Sequence, residues 1–210
     1  MSSSENGYDE PSLSEAIQQT EGLQPWRRVF HATNGTLVVL AVAVLGLEPG
    51  TAVKILGAAL GLSVILDLIR LFDPKINVLF FRAFSSLASP REAKKIASST
   101  WYILSLLLVL WVFPTPYALA GILTLAWADP SASVIGQKWG KKPFLAGSVR
   151  GTAAFALVAF LAMLFFVPWW MAVPAALTTA VVEAAPVDLD DNLVVPPAVA
   201  GLLSLIGTLL

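Results

Sequence analysis

The 210-residue sequence contains no cysteine and a single histidine, His31. The absence of cysteine excludes disulfide bonds, thiol nucleophiles and cysteine-ligated metals, and one histidine cannot build a histidine-rich zinc centre. Charged residues are also scarce, at 13% of the chain against about a quarter in a typical soluble domain. The sequence therefore lacks the polar surface that a soluble domain of this length needs.

Apolar residues make up 57% of the chain and give it a mean hydropathy of +0.76. They occur in blocks close to the roughly 20 residues with which a helix crosses a bilayer. We therefore predict an all-α, polytopic membrane protein with about seven transmembrane helices. The candidate spans are 29–47, 51–72, 97–113, 116–134, 151–169, 170–185 and 192–210. The fourth is interrupted at Asp129-Pro130, and the sixth is short and contains Pro174.

The basic residues predict the orientation of these spans. Lysines and arginines gather before the first span, between the second and third, and after the fourth, whereas Lys54 alone lies near the opposite ends. Because cytoplasmic loops are enriched in basic residues, we predict that the N-terminus and this basic face are cytoplasmic and that the C-terminus is on the other side. Trp169 and Trp170 then fall at the outer interface, where aromatic belts occur.

Residues 1–24 differ from the rest in composition, with a serine-rich start and several acids but no base. They lack the basic start and apolar centre of a secretory signal. We interpret 1–24 as a disordered or loosely helical acidic tail, and 25–210 as one transmembrane domain that carries the chemistry described below.

Polar side chains collect where spans end at the predicted cytoplasmic face. They are His31 and Asn34, Asp67 and Arg70, Asp129, and Glu183. Ionisable groups within spans are costly and usually functional. Each also has an ordinary interpretation: Asp67 and Arg70 can form a structural ion pair, and His31 can be an interfacial polar residue. The basic loop between the second and third spans can likewise serve orientation alone.

An acidic run, Val187-Asp-Leu-Asp-Asp-Asn-Leu193, precedes the last span. No basic residue follows Arg150, so nothing near it in sequence balances Asp188, Asp190 and Asp191. Carboxylate and amide oxygens are ligands that suit Mg²⁺. The run predicts either a divalent-cation site or a solvated acidic loop.

The stretch from Ala128 to Thr152 combines an acid, hydroxyls, glycines and four basic side chains before the fifth span. Backbone donors and bases near a helix N-terminus suit a polyphosphate, although the spacing is not that of a Walker A loop. A plain cytoplasmic loop is the alternative. Since phosphoryl transfer needs mainly a metal-bound phosphate, bases on its oxygens and an aligned hydroxyl, the two stretches together suit transfer to a lipid hydroxyl at the interface.

Four ordered elements resemble those of the CTP-dependent lipid kinases, the family that includes dolichol, phytol, farnesol and yeast-type diacylglycerol kinases and is related to phosphatidate cytidylyltransferase. The resemblance covers residues 26 to about 205. Its early and third-span elements correspond to Arg27, Arg28 and His31, and to Arg91-Glu92 with Lys94-Lys95. The central element runs through Asp129, Ser131, Ser133, Gly136, Gly140 and Lys141, and the last through Glu183, Asp190, Asp191, Asn192, Leu193, Val195 and Pro196.

Two departures from the family pattern stand out. Ala128 replaces the usual glycine before Asp129. Gly147-Ser148-Val149-Arg150-Gly151 lacks the lysine and glutamate that the family usually carries there. Either Arg150 or Lys142 takes the place of the missing lysine, or its absence marks altered donor use or weak activity.

The resemblance implies a reaction in which CTP with Mg²⁺ phosphorylates a lipid alcohol, such as a polyprenol, dolichol or phytol, at the cytoplasmic face. It implies catalytic roles for Asp129, Glu183 and Asp191, with Glu183 or Asp191 orienting or deprotonating the lipid hydroxyl. The implied metal ligands are Asp129, Asp190, Asp191 and Asn192. The implied nucleotide and phosphate contacts are Ser131, Ser133, Gly136, Lys138, Gly140, Lys141 and Arg150. His31, Asn34 and Arg70 are implied to contact the lipid or to support the site.

Two other functions are left open by the sequence. A phosphatidate cytidylyltransferase would form a CDP-lipid, but the P-G-H-G-G-x-x-D-R-x-D-S pattern typical of those enzymes is absent. A small transporter or lipid scaffold would place polar residues near mid-membrane or show an inverted repeat, and neither is evident.

Overall fold

The computed structural model describes residues 10–18, 20, 24–186 and 189–209. Its α-helices are α1 (Glu10–Gln18), α2 (Pro25–Ala43), α3 (Pro49–Phe72), α4 (Pro74–Ala83), α5 (Ser98–Val112), α6 (Thr115–Trp139), α7 (Val149–Met163), α8 (Trp169–Ala184) and α9 (Asp191–Thr208). A 3₁₀ helix, Pro90–Lys94, precedes α5, and a small antiparallel hairpin pairs β1 (Pro143–Phe144) with β2 (Gly147–Ser148). The prediction of an all-α protein is confirmed.

Each candidate span corresponds to one helix, with ends displaced by a few residues. Three of these helices, α3, α6 and α9, are long and apolar enough to cross a membrane, and α5 and α7 are apolar helices of 15 residues. These helices support a membrane protein. The number of seven spans and the cytoplasmic N-terminus stay predictions.

Helix α6 forms the centre of the bundle and packs against α2, α5, α7 and α9. Its residues from Ala118 to Ala126 are all buried. Small residues allow this close packing, as at Gly121, where an added Cβ would lie 2.6 Å from the carbonyl oxygen of Pro196 on α9. Close backbone approach at small residues is the usual basis of helix association in a bilayer.

The predicted interruption at Asp129-Pro130 is wrong, because α6 continues through Pro130 to Trp139. Proline removes one helical donor, yet membrane helices tolerate it where hydroxyl groups satisfy neighbouring carbonyls. Here the Ser131 hydroxyl donates a hydrogen bond of 2.7 Å to the carbonyl oxygen of Trp127. Asp129, Ser131 and Ser133 therefore lie on a helix, and the loop predicted to contain them begins only at Gly140.

The contact between α6 and α7 depends on glycines. An added Cβ at Gly151 would lie 3.1 Å from both the Ala132 carbonyl oxygen and the Ser148 hydroxyl, and 3.3 Å from the Gly136 Cα. Gly140 has no room for a side chain either, since its Cβ would overlap Ser148. Gly151 and Gly140 therefore have a packing role in the fold, and the nucleotide contact implied for Gly140 stays a prediction.

Two further helices lie outside the candidate spans. Asp73 caps α4, accepting a hydrogen bond of 2.8 Å from the Lys75 backbone amide, and Pro74 occupies the first turn. Helix α1 packs on α4, where Ala16, Phe81 and Ala88 form a small second core. Glu10–Gln18 is therefore helical, one of the two states predicted for residues 1–24, and the division into a tail and a transmembrane domain stays a prediction.

Helices α2 and α3 touch each other little. Helix α2 packs mainly on α6, and α3 packs mainly on α5. An opening consequently lies between α2 and α3, with α5 behind it, and both its size and its lining are described below.

Candidate active site

Asp129 stands beside the first turns of α2. Its carboxylate interacts electrostatically with Arg27, Arg28 and Asp190. Arg28 is held in place by a hydrogen bond of 2.6 Å from its guanidinium to the Ser133 hydroxyl, one turn beyond Asp129 on α6. The end of α2 that begins with Pro25 therefore lies against the polar end of α6.

The start of α9 joins the same end of the bundle. Asp190 caps α9: its Oδ1 accepts hydrogen bonds of 3.0 Å from the Asn192 backbone amide and 2.7 Å from the Asn192 side chain. Its Oδ2 accepts one of 2.7 Å from the hydroxyl of Ser98, the first residue of α5. Both oxygens of Asp190 thus have protein partners, and Asn192 is buried. Asp188, also part of the predicted acidic run, lies outside the described residues.

Three acids from three helices lie within electrostatic range of one another at this end. Glu183, near the end of α8, interacts electrostatically with Asp129 and Asp191, and Asp191 interacts with Asp129 and Asp190. Arg91, in the 3₁₀ helix, interacts favourably with Asp191. The structure therefore brings together the three residues predicted to be catalytic, although Asp129 lies 54 residues before Glu183 in the sequence.

The unbonded carboxylate oxygens of the three acids bear on how this site could bind a metal ion. In the part of the chain that the structure describes, the carboxylates of Asp129, Glu183 and Asp191 form no hydrogen bond and no ion pair within 4 Å. Within the same residues, no three acidic or histidine side chains form a group that could hold a metal ion by themselves. Mg²⁺ is usually bound by one or two carboxylates together with substrate phosphates. The donor set therefore fits a metal–nucleotide complex better than a metal site made by protein alone.

His31 connects this group to α5. Its ring packs edge-on against Tyr102 with the centroids 4.7 Å apart, and the Tyr102 hydroxyl donates a 2.8 Å hydrogen bond to the His31 carbonyl oxygen. His31 also interacts with Arg27 and Asp190. Asn34, one turn later, donates a 2.8 Å hydrogen bond to the Phe30 carbonyl oxygen. His31 therefore lies within electrostatic range of Asp190, and Asn34 lies one helical turn farther along α2. Their supporting or lipid-contacting role stays a prediction.

Arg70 has a structural environment. Its guanidinium pairs with Asp67 at 2.6 Å and donates to the carbonyl oxygens of Glu92 and Lys95 at 2.9 and 2.6 Å. Asp67 in turn accepts hydrogen bonds from the Ala97 amide and the Thr100 hydroxyl at the start of α5. Of the two interpretations of this pair, the contacts support the structural one: the buried pair joins the end of α3 to the 3₁₀ helix and α5.

The basic residues expected to contact phosphates lie on the surface of the protein. Lys138, Lys141 and Arg150 are exposed, and Arg150 donates a 3.0 Å hydrogen bond to the carbonyl oxygen of Trp139 at the end of α6. Ser148, within the segment that departs from the family pattern, caps α7 by accepting a hydrogen bond from the Gly151 amide. This segment ends one helix and begins the next.

Four residues near the acids were not among the predicted site residues. They are Arg27, Arg28, Arg91 and Ser98. Each of the three arginines belongs to a motif that matches the family, so the sequence indicated them as candidates. It did not indicate that they lie near Asp129 or Asp191. Ser98 carried none, because a serine at the start of an apolar span is ordinary.

Three known proteins of the same name are similar to this chain. The CTP-dependent diacylglycerol kinase 1 of Schizosaccharomyces pombe is 31% identical over 164 residues, which cover 67% of this chain and 74% of that protein. The protein of the same name in Saccharomyces cerevisiae is 30% identical over 149 residues, covering 68% of this chain and 51% of that protein.

The chain belongs to the family of CTP-dependent lipid kinases. It spans about half the length of the Saccharomyces cerevisiae relative. A third CTP-dependent diacylglycerol kinase 1, from Eremothecium gossypii, is 29% identical over 114 residues, which cover 54% of this chain and 36% of that protein. No protein-family model matches the chain, and no solved structure matches it. Family membership therefore rests on these three relatives. Each is named as a CTP-dependent diacylglycerol kinase.

Proposed function

We propose that the protein transfers the γ-phosphate of CTP to a hydroxyl group of a membrane lipid, producing a lipid monophosphate and CDP. The observation that supports this most strongly is the meeting of Asp129, Glu183 and Asp191 with arginines from α2 and the 3₁₀ helix at one end of the bundle. Phosphoryl transfer needs little more than such positioned charges and an aligned hydroxyl.

Diacylglycerol is the first acceptor to test. The sequence analysis favoured an isoprenoid alcohol such as a polyprenol, dolichol or phytol, but all three relatives are named for diacylglycerol. Diacylglycerol has one free hydroxyl at the level of the headgroups, which is where a site at the helix ends would receive it. We therefore place diacylglycerol ahead of the isoprenoid alcohols.

Each charged residue then has a defined task. Arg27, Arg28 and Arg91 would bind phosphate oxygens, because a guanidinium offers several donors in a geometry that matches them. Glu183 would accept the proton of the lipid hydroxyl as its oxygen attacks the γ-phosphorus. The bond between the γ-phosphorus and the bridging oxygen breaks, and CDP leaves with that oxygen. Asp190, whose oxygens are occupied, would hold the start of α9 in place.

Asp129 and Asp191 are the residues that would hold Mg²⁺ together with the nucleotide. When bound, Mg²⁺ supplies positive charge that neutralises the phosphate oxygens. Lys138, Lys141 and Arg150 are candidates for contacts with the outer part of the nucleotide. We propose that this whole face is cytoplasmic, in agreement with the distribution of basic residues.

Position-specific labels in CTP test the proposal. The purified full chain is placed in vesicles that contain dioleoylglycerol, with CTP labelled either at the α- or the γ-phosphate. We expect γ-label in the extracted lipid and α-label only in aqueous CDP. Incorporation of α-label into lipid with release of pyrophosphate would show nucleotidyl transfer, the cytidylyltransferase reaction, and would overturn the proposal. No transfer of either label to any lipid alcohol would favour the transporter or scaffold.

A further inference from the structure

An apolar groove of about 520 Å³ lies between α2, α3 and α5. Its walls come from all three helices and are formed mainly by Leu37, Ala41, Ile55, Leu56, Ile103 and Leu106. Leu37 and Ile55 are more than half exposed, so the groove opens sideways between α2 and α3. A side opening between membrane helices faces the hydrocarbon of the bilayer, from which a lipid chain can enter without crossing water.

One end of the groove is polar and adjoins the acids. His31, Asn34, Ser99 and Tyr102 line this end. His31 interacts electrostatically with Asp190, and Tyr102 interacts with Asp129. A group that sits at this mouth is therefore next to the proposed site of phosphoryl transfer, while anything attached to it extends along the apolar walls.

The groove is longer than one leaflet. Its lining on α2 runs from Phe30 to Ala41, a rise of about 16 Å at 1.5 Å per residue, which is about half of a hydrocarbon core of about 30 Å. Leu47, beyond the end of α2, and Ala52, in the first turn of α3, extend the lining past Ala41. A chain that begins at the mouth and follows α2 would thus pass Ala41 near the middle of the bilayer and could continue toward Leu47.

We propose that this groove binds a hydrocarbon chain of the lipid acceptor and holds its hydroxyl at the mouth between His31 and Asn34. The inference rests on the proposed function and adds the location of the acceptor to it. The occupant is a neutral lipid with a hydroxyl, because the groove lining contains no lysine or arginine that would hold a phosphate. Diacylglycerol, a neutral lipid with one free hydroxyl, meets this requirement.

Photo-crosslinking tests the location without requiring activity. The probe is a diacylglycerol with a diazirine at the end of one acyl chain, incorporated into vesicles with the full chain. We expect the label in peptides that contain Leu37 to Leu47 and Ala52 to Leu56. We also expect excess dioleoylglycerol to displace the probe, and excess dioleoylphosphatidylcholine not to displace it. Label spread over the lipid-facing surfaces of α3, α7 and α8, or displaced equally by both lipids, would overturn the proposal.

A matched pair of variants tests the length of the groove. Ala41 lines the groove beyond its polar mouth, on the way to Leu47, whereas Ala58 on α3 is exposed and lies outside it. Ala41→Phe should raise the KM for dioleoylglycerol about tenfold, the scale of overpacking a filled apolar site, and leave the KM for the shorter dioctanoylglycerol unchanged. Ala58→Phe should change neither. Equal behaviour of the two variants toward both lipids would contradict the assignment.

The two proposals can fail separately. Transfer of γ-phosphate with crosslinks scattered over the surface would leave the kinase function standing and remove the groove as its acceptor site. Specific, competed crosslinks without any transfer would show lipid binding in the groove and reject the kinase function. Displacement of the probe by phytol rather than by dioleoylglycerol would support the groove and change the acceptor to an isoprenoid alcohol.

Discussion

Arg28, and not one of the lysines, is a base that the fold holds near Asp129. It approaches Asp129 from α2 and is fixed by Ser133, whereas the lysines that follow Asp129 in sequence are exposed. We expect Arg28→Ala to lower kcat/KM for CTP about a hundredfold, the scale for removing one donor from a developing phosphate charge. Arg28→Lys should recover part of this loss, because it restores the charge but not the forked donor geometry.

The control for this prediction is Arg82→Ala. Arg82 is exposed in the last turn of α4 and is not part of the proposed site. Its loss should leave kcat/KM for CTP within about twofold, as for an ordinary surface position. Equal rates for Arg28→Ala and the wild type would remove Arg28 from the site.

Arg70 illustrates the opposite case, a residue for which stability is the proper measurement. Its guanidinium is buried and joins Asp67 to two backbone carbonyls. Arg70→Ala leaves the Asp67 carboxylate buried without its partner and should lower the free energy of unfolding by about 3–5 kcal/mol. Thermal unfolding in detergent, followed by tryptophan fluorescence, measures this. An unchanged midpoint would contradict the structural role.

Among the elements, the pair α6 and α7 offers a clear test of packing. Gly151→Ala places a methyl group 3.1 Å from the Ala132 carbonyl oxygen and should destabilise the fold by about 1–3 kcal/mol. Gly61→Ala on α3 is the matched control, since nothing lies within 4 Å of its Cβ position. It should be neutral or stabilise by up to about 1 kcal/mol, because alanine favours helices.

The positions of the apolar elements could be predicted from the sequence because each is a long block bounded by polar residues or prolines. The continuous α6 could not, since a proline within an apolar pattern ordinarily indicates a break, and the packing of α6 against four other helices exists only in the fold. Helix α4 did carry a local signal, Asp73 followed by Pro74, which is typical of a helix start. The basic residues of the segment favoured a loop that sets the orientation of the spans, so this helix was not predicted.

The site was predicted unevenly for a similar reason. Asp129 and Glu183 stand out because acids at the ends of apolar spans are rare and costly. The catalytic roles predicted for Asp129, Glu183 and Asp191 came from the resemblance to the kinase family. Their arginine partners could not be chosen, because many bases share that end of the chain and only tertiary packing distinguishes Arg28 from Lys141. A motif also cannot reveal packing: the close approach of Gly151 to Ala132 and Ser148 exists only in the fold.

For the whole molecule, the predicted topology can be tested with single cysteines, because the natural sequence has none. Ser86 and Glu48 are exposed and lie beyond opposite ends of α3. In intact cells an impermeant maleimide should label Glu48→Cys, whereas Ser86→Cys should react only in inside-out vesicles. Labelling of both from one side would contradict the arrangement of the spans, and reversed labelling would contradict the cytoplasmic face.

The claim that the acids from α6, α8 and α9 form one active site is tested most directly by γ-phosphate transfer from CTP to dioleoylglycerol in reconstituted vesicles. We predict that Asp129→Asn and Glu183→Gln each lower the rate by about a hundredfold or more. The double variant should be about as slow as the slower single one, because residues that act as a unit are not additive. Glu48→Gln, at the opposite end, serves as the control. A wild-type rate in either single variant, with the control also at that rate, would contradict the account.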